Sequence, residues 1–324
     1  MELERLDRQI LFELDFDSRQ TNKEIAKKCR ISEQVVAYRV NRMIQNGTIE
    51  YFYALVNGAK LGLMCFRIYL RLQSLSPEIE SQIRQSILKN SYTIWLVSVR
   101  GKYDMLFAMY AKSIEQFSDL FNSITKDFDQ YISNKNICVV EEAQAFGRNH
   151  LVGKKSEKEI SLIYGGSPKE HPLDSLDFTL LSNLSKGGRI PTTELAKVTG
   201  INGETIRYRL KKLVKAGVVL GFRALPDLKK VGYLKYVISL RLFSATAKRK
   251  RELAGFCREH PNVLFLVKCI GDHEIDLEIE VEKESDFDSL LNGLKKNFND
   301  IIRDYEILSI SGEHKFNYFD LKSL

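Results

Sequence analysis

Residues 31–49 read ISEQVVAYRVNRMIQNGTI, and residues 201–219 read INGETIRYRLKKLVKAGVV. Each stretch begins with a polar residue suited to cap a helix, continues with apolar residues at helical spacing, and reaches a glycine that ends the helix. The buried face is predicted to hold Val36, Val40, Met43 and Ile44 in the first stretch and Ile206, Leu210, Leu213 and Val214 in the second. Both stretches therefore predict the same amphipathic helix, and they lie 170 positions apart.

The same offset relates much of the remaining chain to itself without gaps. The matched residues include Leu6-Asp7 with Leu176-Asp177, Tyr38-Arg39 with Tyr208-Arg209, Gly62 with Gly232, Leu70-Arg71-Leu72 with Leu240-Arg241-Leu242, and Phe117 with Phe287. Chance does not hold one offset over so many positions, so the 324 residues consist of two tandem copies of one unit. A chain of this length also exceeds one ordinary domain.

Each copy is predicted to have two parts, and a connector joins the copies. The segments are a winged helix-turn-helix at 1–56, a ferredoxin-like domain at 57–146, a linker at 147–172, a second winged helix-turn-helix at 173–226 and a second ferredoxin-like domain at 227–324. Glycine, proline and lysine are enriched in the linker, which is typical of an exposed connector. Within the linker, the run at 160–164 suggests an added edge strand.

Three short helices are predicted at the start of each copy. Helix two of the first copy begins near Thr21, which can form a capping box with Glu24, whereas Pro191 replaces this box in the second copy. A tight turn leads into the third helix, and a strand predicted as the wing follows it at 48–53 and at 218–223. This order is that of a winged helix-turn-helix domain.

The exposed face of the third helix decides whether such a domain reads DNA. This face is predicted to present Gln34, Ala37, Tyr38, Asn41, Arg42 and Gln45 in the first copy, and Glu204, Arg207, Tyr208, Lys211, Lys212 and Lys215 in the second. Amide, basic and phenol groups supply the donors and acceptors that base edges and phosphates require. Basic residues outnumber acidic ones seven to two over 19–45 and eight to two over 186–215, so positive charge is concentrated where a duplex would lie. A solvated helix face is the alternative interpretation.

Arg39 and Arg209 flank the apolar stripe of the third helix and belong to the candidate DNA-binding residues. They have two interpretations. One is a contact with phosphate, and the other is a salt bridge to a carboxylate of helix one, such as Asp7 or Asp177. The sequence leaves both open.

The second part of each copy is predicted as an α+β sandwich in the order βαββαβ, which is the ferredoxin-like plan. In the first copy, strands are predicted at 66–72, 93–99, 103–110 and 136–140, and helices at 77–89 and 113–125. In the second copy, strands are predicted at 234–243, 263–269, 275–281 and 305–310, and helices at 247–259 and 285–295. The helices cover one face of such a sheet, so the other face needs a partner.

The free sheet faces of the two copies carry different charges. The third strand of the second copy alternates apolar residues with four acidic ones, namely Glu274, Asp276, Glu278 and Glu280. The first strand of the first copy presents Arg67 and Arg71 instead. We hypothesise that the two sandwiches recognise each other through these charges. The alternative is a solvated acidic face that Lys235 and Arg241 compensate from the neighbouring strand of the same copy.

Composition favours a globular protein with an anionic partner. The hydrophobic fraction is 44%, and the formal net charge of +7 with a pI of about 9.0 makes nucleic acid the first candidate. No apolar run approaches the roughly 20 residues of a transmembrane helix. The N-terminus is charged and lacks a secretory hydrophobic region, so a cytoplasmic location is expected.

The sequence shows no catalytic or metal-binding motif. The five cysteines are scattered without a CxxC pair, which indicates reduced, mostly structural thiols. The five histidines lack metal-ligand spacing. His273 beside Glu274 and Asp276 is the one local acid–base cluster, and we interpret it as hairpin surface. We therefore expect no enzyme activity, no cofactor and no metal.

A winged helix followed by this sandwich resembles the Lrp/AsnC (feast/famine) family of transcription regulators, in a tandem form that some archaeal relatives share. The matching motifs are Gly47-x-Ile49 and Gly217-x-Val219, Lys60-Leu61-Gly62 and Lys230-Val231-Gly232, and the hairpins Gly101-Lys102-Tyr103-Asp104 and Gly271-Asp272-His273-Glu274. The resemblance covers nearly the whole chain, twice. It implies a sequence-specific DNA-binding regulator whose sandwich domains, of the RAM type, dimerise and bind a small effector, often an amino acid. The implied effector-binding residues are Gly101, Tyr103, Asp104, Gly271, His273 and Glu274.

Two rival functions fit the same fold. Siroheme decarboxylases resemble the Lrp/AsnC fold, also occur as fused pairs, and would hold a tetrapyrrole with basic and histidine residues of the sandwich. An architectural protein would package DNA through phosphate contacts alone, which the lysine-rich second copy favours, whereas Asn41, Gln34 and Gln45 of the first copy favour base reading. The expected partners are double-stranded DNA, a small effector, and either a second chain or the other copy in the same chain, with no membrane.

Overall fold

The structure, a computed structural model, describes residues 3–74, 76–153 and 161–319. The first copy contains α1 (Arg5–Phe16), α2 (Asn22–Cys29), α3 (Glu33–Gln45), β1 (Ile49–Val56), β2 (Met64–Leu72), α4 (Pro77–Lys89), β3 (Thr93–Arg100), β4 (Met105–Ala111), α5 (Ile114–Thr125) and β5 (Ile132–Phe146). The connector contributes β6 (Ser161–Gly165). The second copy contains α6 (Ser175–Lys186), α7 (Thr192–Thr199), α8 (Gly203–Lys215), β7 (Val219–Pro226), β8 (Leu234–Leu242), α9 (Ala247–Glu259), β9 (Val263–Ile270), β10 (Ile275–Val281), α10 (Glu284–Phe298) and β11 (Ile302–Phe316).

Capping side chains define where the helices of the winged domains begin. The Thr21 hydroxyl accepts a hydrogen bond from Glu24 N, and the Glu24 carboxylate accepts one from Thr21 N, so the capping box is present. Ser32 caps α3 and Asn202 caps α8, each by accepting from the backbone N–H three residues later. These side chains satisfy donors that the first turn of a helix leaves without a partner.

Two residues predicted on the buried face of the third helices are exposed instead. Ile44 is 43% exposed and Val214 is 44% exposed, whereas Val36, Val40 and Met43 are buried. Successive steps of four residues turn about 40° each around an α-helix, so Ile44 lies about 80° from Val36. That rotation carries Ile44, and Val214 in α8, out of the buried stripe.

The strands predicted as wings do not form hairpins within their own copies. β1 pairs antiparallel with β7, and together they form a two-stranded sheet that joins the two winged domains. The ladder runs from the pair Ile49 and Pro226 to the pair Val56 and Val219, so the pairing covers both strands from end to end. The two copies therefore pair within the chain, and their winged domains are held side by side.

The two ferredoxin-like sheets join into one closed barrel. Within each copy the strands lie in the spatial order fourth, first, third, second: β5-β2-β4-β3 in the first copy and β11-β8-β10-β9 in the second. β5 of the first copy then pairs with β9 of the second, and β11 of the second pairs with β3 of the first. These two junctions close a ring of eight strands among the described residues, and a barrel of this size has an interior that side chains fill.

Both junctions depend on strands longer than predicted. β5 runs over Ile132–Phe146 and β11 over Ile302–Phe316, because the first half of each pairs within its own copy and the second half crosses to the other. β6 pairs with the end of β5, where the predicted edge strand lies, although position 160 falls outside the described residues. The connector thus adds a strand beside one junction.

Helices cover the outside of the barrel in two separate cores. α4 and α5 pack on the first sheet around Phe107 and Ile87, and α9 and α10 pack on the second sheet around Leu277 and Leu253. The inside of the barrel is continuous with the core under the second winged domain. Among the described residues, no helix has the length and apolar character needed to cross a membrane.

Candidate nucleic-acid interface

The third helix of each winged domain presents an exposed face at equivalent positions. On α3, Gln34, Tyr38 and Asn41 are exposed, and Ala37 and Arg42 are half-buried at the edge of this face. Tyr38 is 66% exposed, although tyrosine carries a large apolar ring. An exposed aromatic ring beside amide groups suits contact with a sugar–phosphate backbone or a base edge.

The exposed face of α8 has the same positions as that of α3 and a different chemistry. Tyr208 is also 66% exposed. The other exposed residues at the predicted positions are Glu204, Arg207, Lys211, Lys212 and Lys215. The offset of 170 pairs Asn41 with Lys211, so an amide of the first face becomes an ammonium in the second. The first face is suited to hydrogen bonding with bases and the second to contact with phosphates.

Arg39 and Arg209 form salt bridges to α1 and α6, respectively, which is the second of the two interpretations that the sequence left open. Arg39 Nη1 lies 2.9 Å from Asp7 Oδ1, and the equivalent Arg209 Nη1 lies 3.2 Å from Asp177 Oδ2. Hydrogen bonding to Asp7 raises the pKa of Arg39. Arg42 Nη2 also reaches Asp7 Oδ2, at 2.5 Å. These three arginines are therefore held by buried carboxylates, and they fix α3 and α8 against α1 and α6.

Arg19, counted above with the basic residues near the duplex, lies between the two winged domains instead. It donates to the carbonyl oxygens of Gly188 and Ile190, both at 3.0 Å. Arg189, its equivalent, donates to Ser18 O at 2.6 Å and to Asn22 Oδ1 at 2.7 Å. Burial lowers the pKa of both arginines. The contacts are reciprocal, as a two-fold interface requires, so these charges stabilise the pair.

A buried ionic cluster connects the first winged domain to the barrel of the second copy. Asp15 of α1 accepts from Arg148 and, at 2.7 Å, from Arg223 Nη2 of β7. Arg148 Nε donates to Glu280 of β10 at 3.0 Å. Lys235 Nζ lies 3.5 Å from the same carboxylate. Burial raises the pKa of Glu280, but the positive charges of Arg148 and Lys235 outweigh burial and lower it to about 2.

The sequence analysis missed this cluster because its members lie in four different segments and follow no periodicity. Arg148 was assigned to an exposed linker, yet it is buried. Arg223 was assigned to a wing, and it is among the largest fully buried side chains. The one available signal was the acidic alternation that contains Glu280.

The hypothesis that the sandwiches recognise each other by charge holds for Arg67 and not for Arg71. Arg67 Nη2 donates to Glu278 Oε1 at 2.8 Å, and its Nη1 lies 3.4 Å from Asp276 Oδ2. Arg71 pairs with Asp104 of its own copy. The alternative, in which basic residues of the same copy compensate the acidic strand, is also partly present, since Lys235 of β8 forms a salt bridge with Glu280. The acidic face is thus enclosed in the barrel and is not solvated as a whole.

The residues of the two glycine hairpins differ in exposure. Gly101 and Gly271 are exposed, and Tyr103 is buried. The side chains of Asp104 and Glu274 accept from the backbone N–H groups of Leu72 and Leu242, at 2.8 and 2.7 Å. Both carboxylates thereby hold their hairpins against the first strand of their own sheet.

His273 is buried, so its interpretation as hairpin surface was wrong. Its Nε2 lies 2.9 Å from Asp276 Oδ1 and 3.2 Å from the hydroxyl of Tyr69, which belongs to the other copy. Burial lowers the pKa of His273, but the carboxylate of Asp276 outweighs it and raises the pKa to about 12. The hairpin turns this side chain inward at the junction of β5 and β9, where sequence alone showed no partner.

Two winged helices with exposed third helices define this chain as a helix-turn-helix DNA-binding protein. A family model described as winged helix-turn-helix DNA-binding matches residues 3–50 and 173–219. The regulator LrpA of Pyrococcus abyssi is 32% identical over 103 residues, which are 32% of this chain and 72% of that protein. An uncharacterised HTH-type transcriptional regulator of Pyrococcus furiosus is 31% identical over 134 residues, 41% of this chain and 82% of that protein. The chain belongs to the Lrp/AsnC family of transcription regulators, as the resemblance of its motifs implied.

The fold of the whole tandem chain is also found in a siroheme decarboxylase. The siroheme decarboxylase NirDL matches with a TM-score of 0.63 over 99% of this chain and 96% of that chain, at 12% sequence identity. This likeness confirms the fold of two winged helix-turn-helix domains and two ferredoxin-like domains in one chain. At this identity it carries no statement about activity.

Proposed function

We propose that this chain is a sequence-specific transcription regulator that binds double-stranded DNA with both winged domains at once, in the cytoplasm. The observation that carries the proposal is the pair of exposed faces on α3 and α8, held side by side by the β1–β7 sheet and by Arg19 and Arg189. Paired helix-turn-helix domains bind two half-sites about one helical turn apart, roughly 34 Å, or a multiple of it.

The two half-sites are expected to differ. Two identical helix faces would bind a palindrome. The offset of 170 instead relates one set of residues to a chemically different one: Gln34, Ala37 and Asn41 correspond to Glu204, Arg207 and Lys211. The first half-site should show stronger base preferences, because amides form bidentate contacts with adenine. The second should be tolerant, because lysine contacts mainly position the protein on phosphates.

Selection of bound duplexes from a random pool, followed by salt titration, tests the proposal. We expect an asymmetric motif and a steep dependence of affinity on salt. Asn41→Ala should relax preference in one half-site only. Lys211→Ala should weaken all sequences alike and reduce the slope of log K against log salt by about 0.9 if the contact is to phosphate. Lys250→Ala, an exposed lysine of α9, is the control.

Each other outcome of this experiment favours a different function. Equal binding of all sequences would favour the architectural protein, and a perfect palindrome would contradict the simultaneous use of both faces by one chain. Absence of DNA binding by the folded chain would contradict the proposal altogether.

We further propose, on the family resemblance, that a small effector binds near the glycine hairpins. Candidate residues are Gly101, Tyr103, Asp104, Gly271, His273 and Glu274. A panel of amino acids added to the DNA titration tests this. A shift in the DNA affinity with one amino acid supports an effector, and an unchanged affinity with all of them contradicts an amino-acid effector.

The enzyme alternative rests on a likeness of fold alone, which the chain shares with NirDL over its whole length. It predicts a Soret absorbance change when siroheme is added and release of carbon dioxide during incubation. The regulator predicts neither. Measuring both on the same preparation that is used for DNA binding separates the two functions.

A further inference from the structure

A cluster of metal-ligating side chains lies inside the barrel at the junction of β5 and β9. Cys269, His273 and Asp276 are buried, and each places a ligand atom within 4.8 Å of the other two. His273 Nε2 lies 2.9 Å from Asp276 Oδ1, and Cys269 Sγ lies 4.0 Å from Asp276 Oδ2. A thiolate, an imidazole and a carboxylate are all ligands that Zn²⁺ takes in proteins.

Side chains of the first copy surround this cluster. Cys138 Sγ lies 3.8 Å from His273 Nδ1, the ring nitrogen that faces away from Asp276. The Tyr69 hydroxyl donates to Asp276, and Arg67 lies 3.4 Å from the same carboxylate. In metal sites the second ring nitrogen of a ligating histidine usually donates to a nearby acceptor, which fixes the ring. Cys138 is in position for that role.

The fold does not require polar groups at these positions. The offset of 170 relates Cys269, His273 and Asp276 to Val99, Tyr103 and Leu106, which are also buried. Leu308 takes the place of Cys138 at the equivalent junction of β11 and β3. Apolar and aromatic side chains therefore fill the same space on one side of the barrel. Burial of ionisable groups on the other side costs free energy, so these groups call for a reason other than packing.

We propose that the chain binds one divalent transition-metal ion of the Zn²⁺ class through Cys269 Sγ, His273 Nε2 and the Asp276 carboxylate, with Cys138 orienting the imidazole. The exchange conserves charge. Ligation requires a thiolate and a neutral imidazole, so the two positive charges of the ion replace one proton from Cys269 Sγ and one from the ring of His273, and both protons go to solvent. The site is independent of the proposed reading of DNA, but it shares His273 with the candidate effector-binding residues.

The ion would strengthen the closure of the barrel. Cys269 is the last but one residue of β9, and Asp276 is the second residue of β10. His273 lies in the hairpin between the two strands, where Cys138 of β5 packs against Gly271. A side chain at Gly271 would meet Cys138 Sγ at 2.5 Å from its Cβ, so the glycine allows this close approach. Ligation would hold the hairpin rigidly against the strand of the other copy.

The test uses the full-length chain, stripped with a chelator and titrated with Zn²⁺ against a chromophoric chelator, and separately with Co²⁺. We expect one ion per chain, about two protons released per ion, a higher Tm, and a thiolate-to-cobalt charge-transfer band. Cys269→Ser should abolish that band. Cys138→Ser should keep the band and weaken the affinity about 10- to 100-fold, because it removes only the support of the imidazole.

Matched variants keep the test decisive. Cys257→Ser alters a buried thiol in the core beneath α9, away from the cluster, so it should leave the stoichiometry of ion binding and the cobalt band unchanged. Cys269→Val and His273→Tyr install the residues of the equivalent junction, so they should fold and should not bind the ion. Failure of the folded wild-type chain to bind an ion stoichiometrically, or loss of the cobalt band in Cys257→Ser with its retention in Cys269→Ser, would overturn the proposal. His273 and Asp276 would then be a buried ion pair only.

Discussion

Asp7 and Asp177 are buried carboxylates at equivalent positions of α1 and α6, and each holds arginine side chains of the third helix. A buried carboxylate without a positive partner is costly. The arginines therefore contribute to the orientation of the reading helix before any contact with DNA. Substitution of such an arginine can weaken DNA binding either by removing a contact with DNA or by destabilising the domain, and a binding assay alone does not separate the two effects.

Arg39→Ala should lower the free energy of unfolding by about 1–3 kcal/mol, because it leaves Asp7 with one arginine fewer. Urea unfolding followed by circular dichroism measures this change. Arg207→Ala removes an exposed arginine of the second reading helix and should leave stability within about 0.5 kcal/mol of the wild type. Equal stability of the two variants would show that the Asp7 pair contributes nothing.

The lowered pKa of Glu280 predicts that the folded chain loses stability at acidic pH. Its pKa of about 2 in the fold lies below its ordinary value of 4.5, so its stabilisation is fully present above about pH 4.5 and is lost as the pH falls toward 2. Glu280→Gln should remove this contribution, which reaches a slope of about 1.4 kcal/mol per pH unit. The free energy of unfolding, measured in the variant and the wild type at a series of pH values that spans both pKa values, gives this contribution. An unchanged slope in the variant would contradict the assignment.

At the scale of elements, the β1–β7 sheet and the reciprocal arginines determine how the two reading helices are placed. Phe52 O accepts from Gly188 N at 2.7 Å, and Phe222 O accepts from Ser18 N at 2.8 Å. Each winged domain thereby binds the loop after the first helix of the other. The spacing of the half-sites is a property of this interface, and it depends on residues far from the reading faces.

Arg189→Ala removes the hydrogen bonds to Ser18 and Asn22 and should loosen this arrangement. We expect affinity for a duplex with two half-sites to fall about tenfold, the equivalent of one or two hydrogen bonds. Affinity for a duplex with a single half-site should not change. Fluorescence anisotropy on both duplexes measures the difference, with Lys250→Ala as the control. An equal loss of affinity for both duplexes would indicate that Arg189 contacts DNA and does not act through the interface between the winged domains.

The sequence predicted elements well where a local rule determines them. The capping box at Thr21, the caps at Ser32 and Asn202, and the βαββαβ order all follow from short-range spacing. Strand partners do not, because the apolar residues of β1 indicate that the strand is largely buried and do not say which strand it pairs with. The inward turn of His273 and the burial of Arg148 likewise depend on residues more than a hundred positions away.

At the scale of the whole molecule, the two junctions of the barrel interleave the copies. β5 lies between strands of both copies at one junction, and β11 does so at the other. Neither sheet can leave the other without breaking two ladders of backbone hydrogen bonds and exposing the barrel interior. Covalent connection is therefore not what holds the folded halves together.

Cleavage of the connector between positions 153 and 161, at an inserted protease site, should leave the two fragments associated. They should elute together in size-exclusion chromatography and unfold in a single transition, since they share one interior. The uncut chain carrying the same insertion is the control. Separation of the fragments in native buffer would contradict the interleaved barrel.

Fusion of the two halves also changes how such a regulator responds to its own abundance. A regulator built from separate subunits loses its paired form on dilution, so its occupancy of an operator falls with the square of subunit concentration. Here the partner is always present at a high effective concentration, because the same chain carries both halves and closes them into one barrel. If one chain binds one operator, occupancy is expected to follow the first power of its concentration.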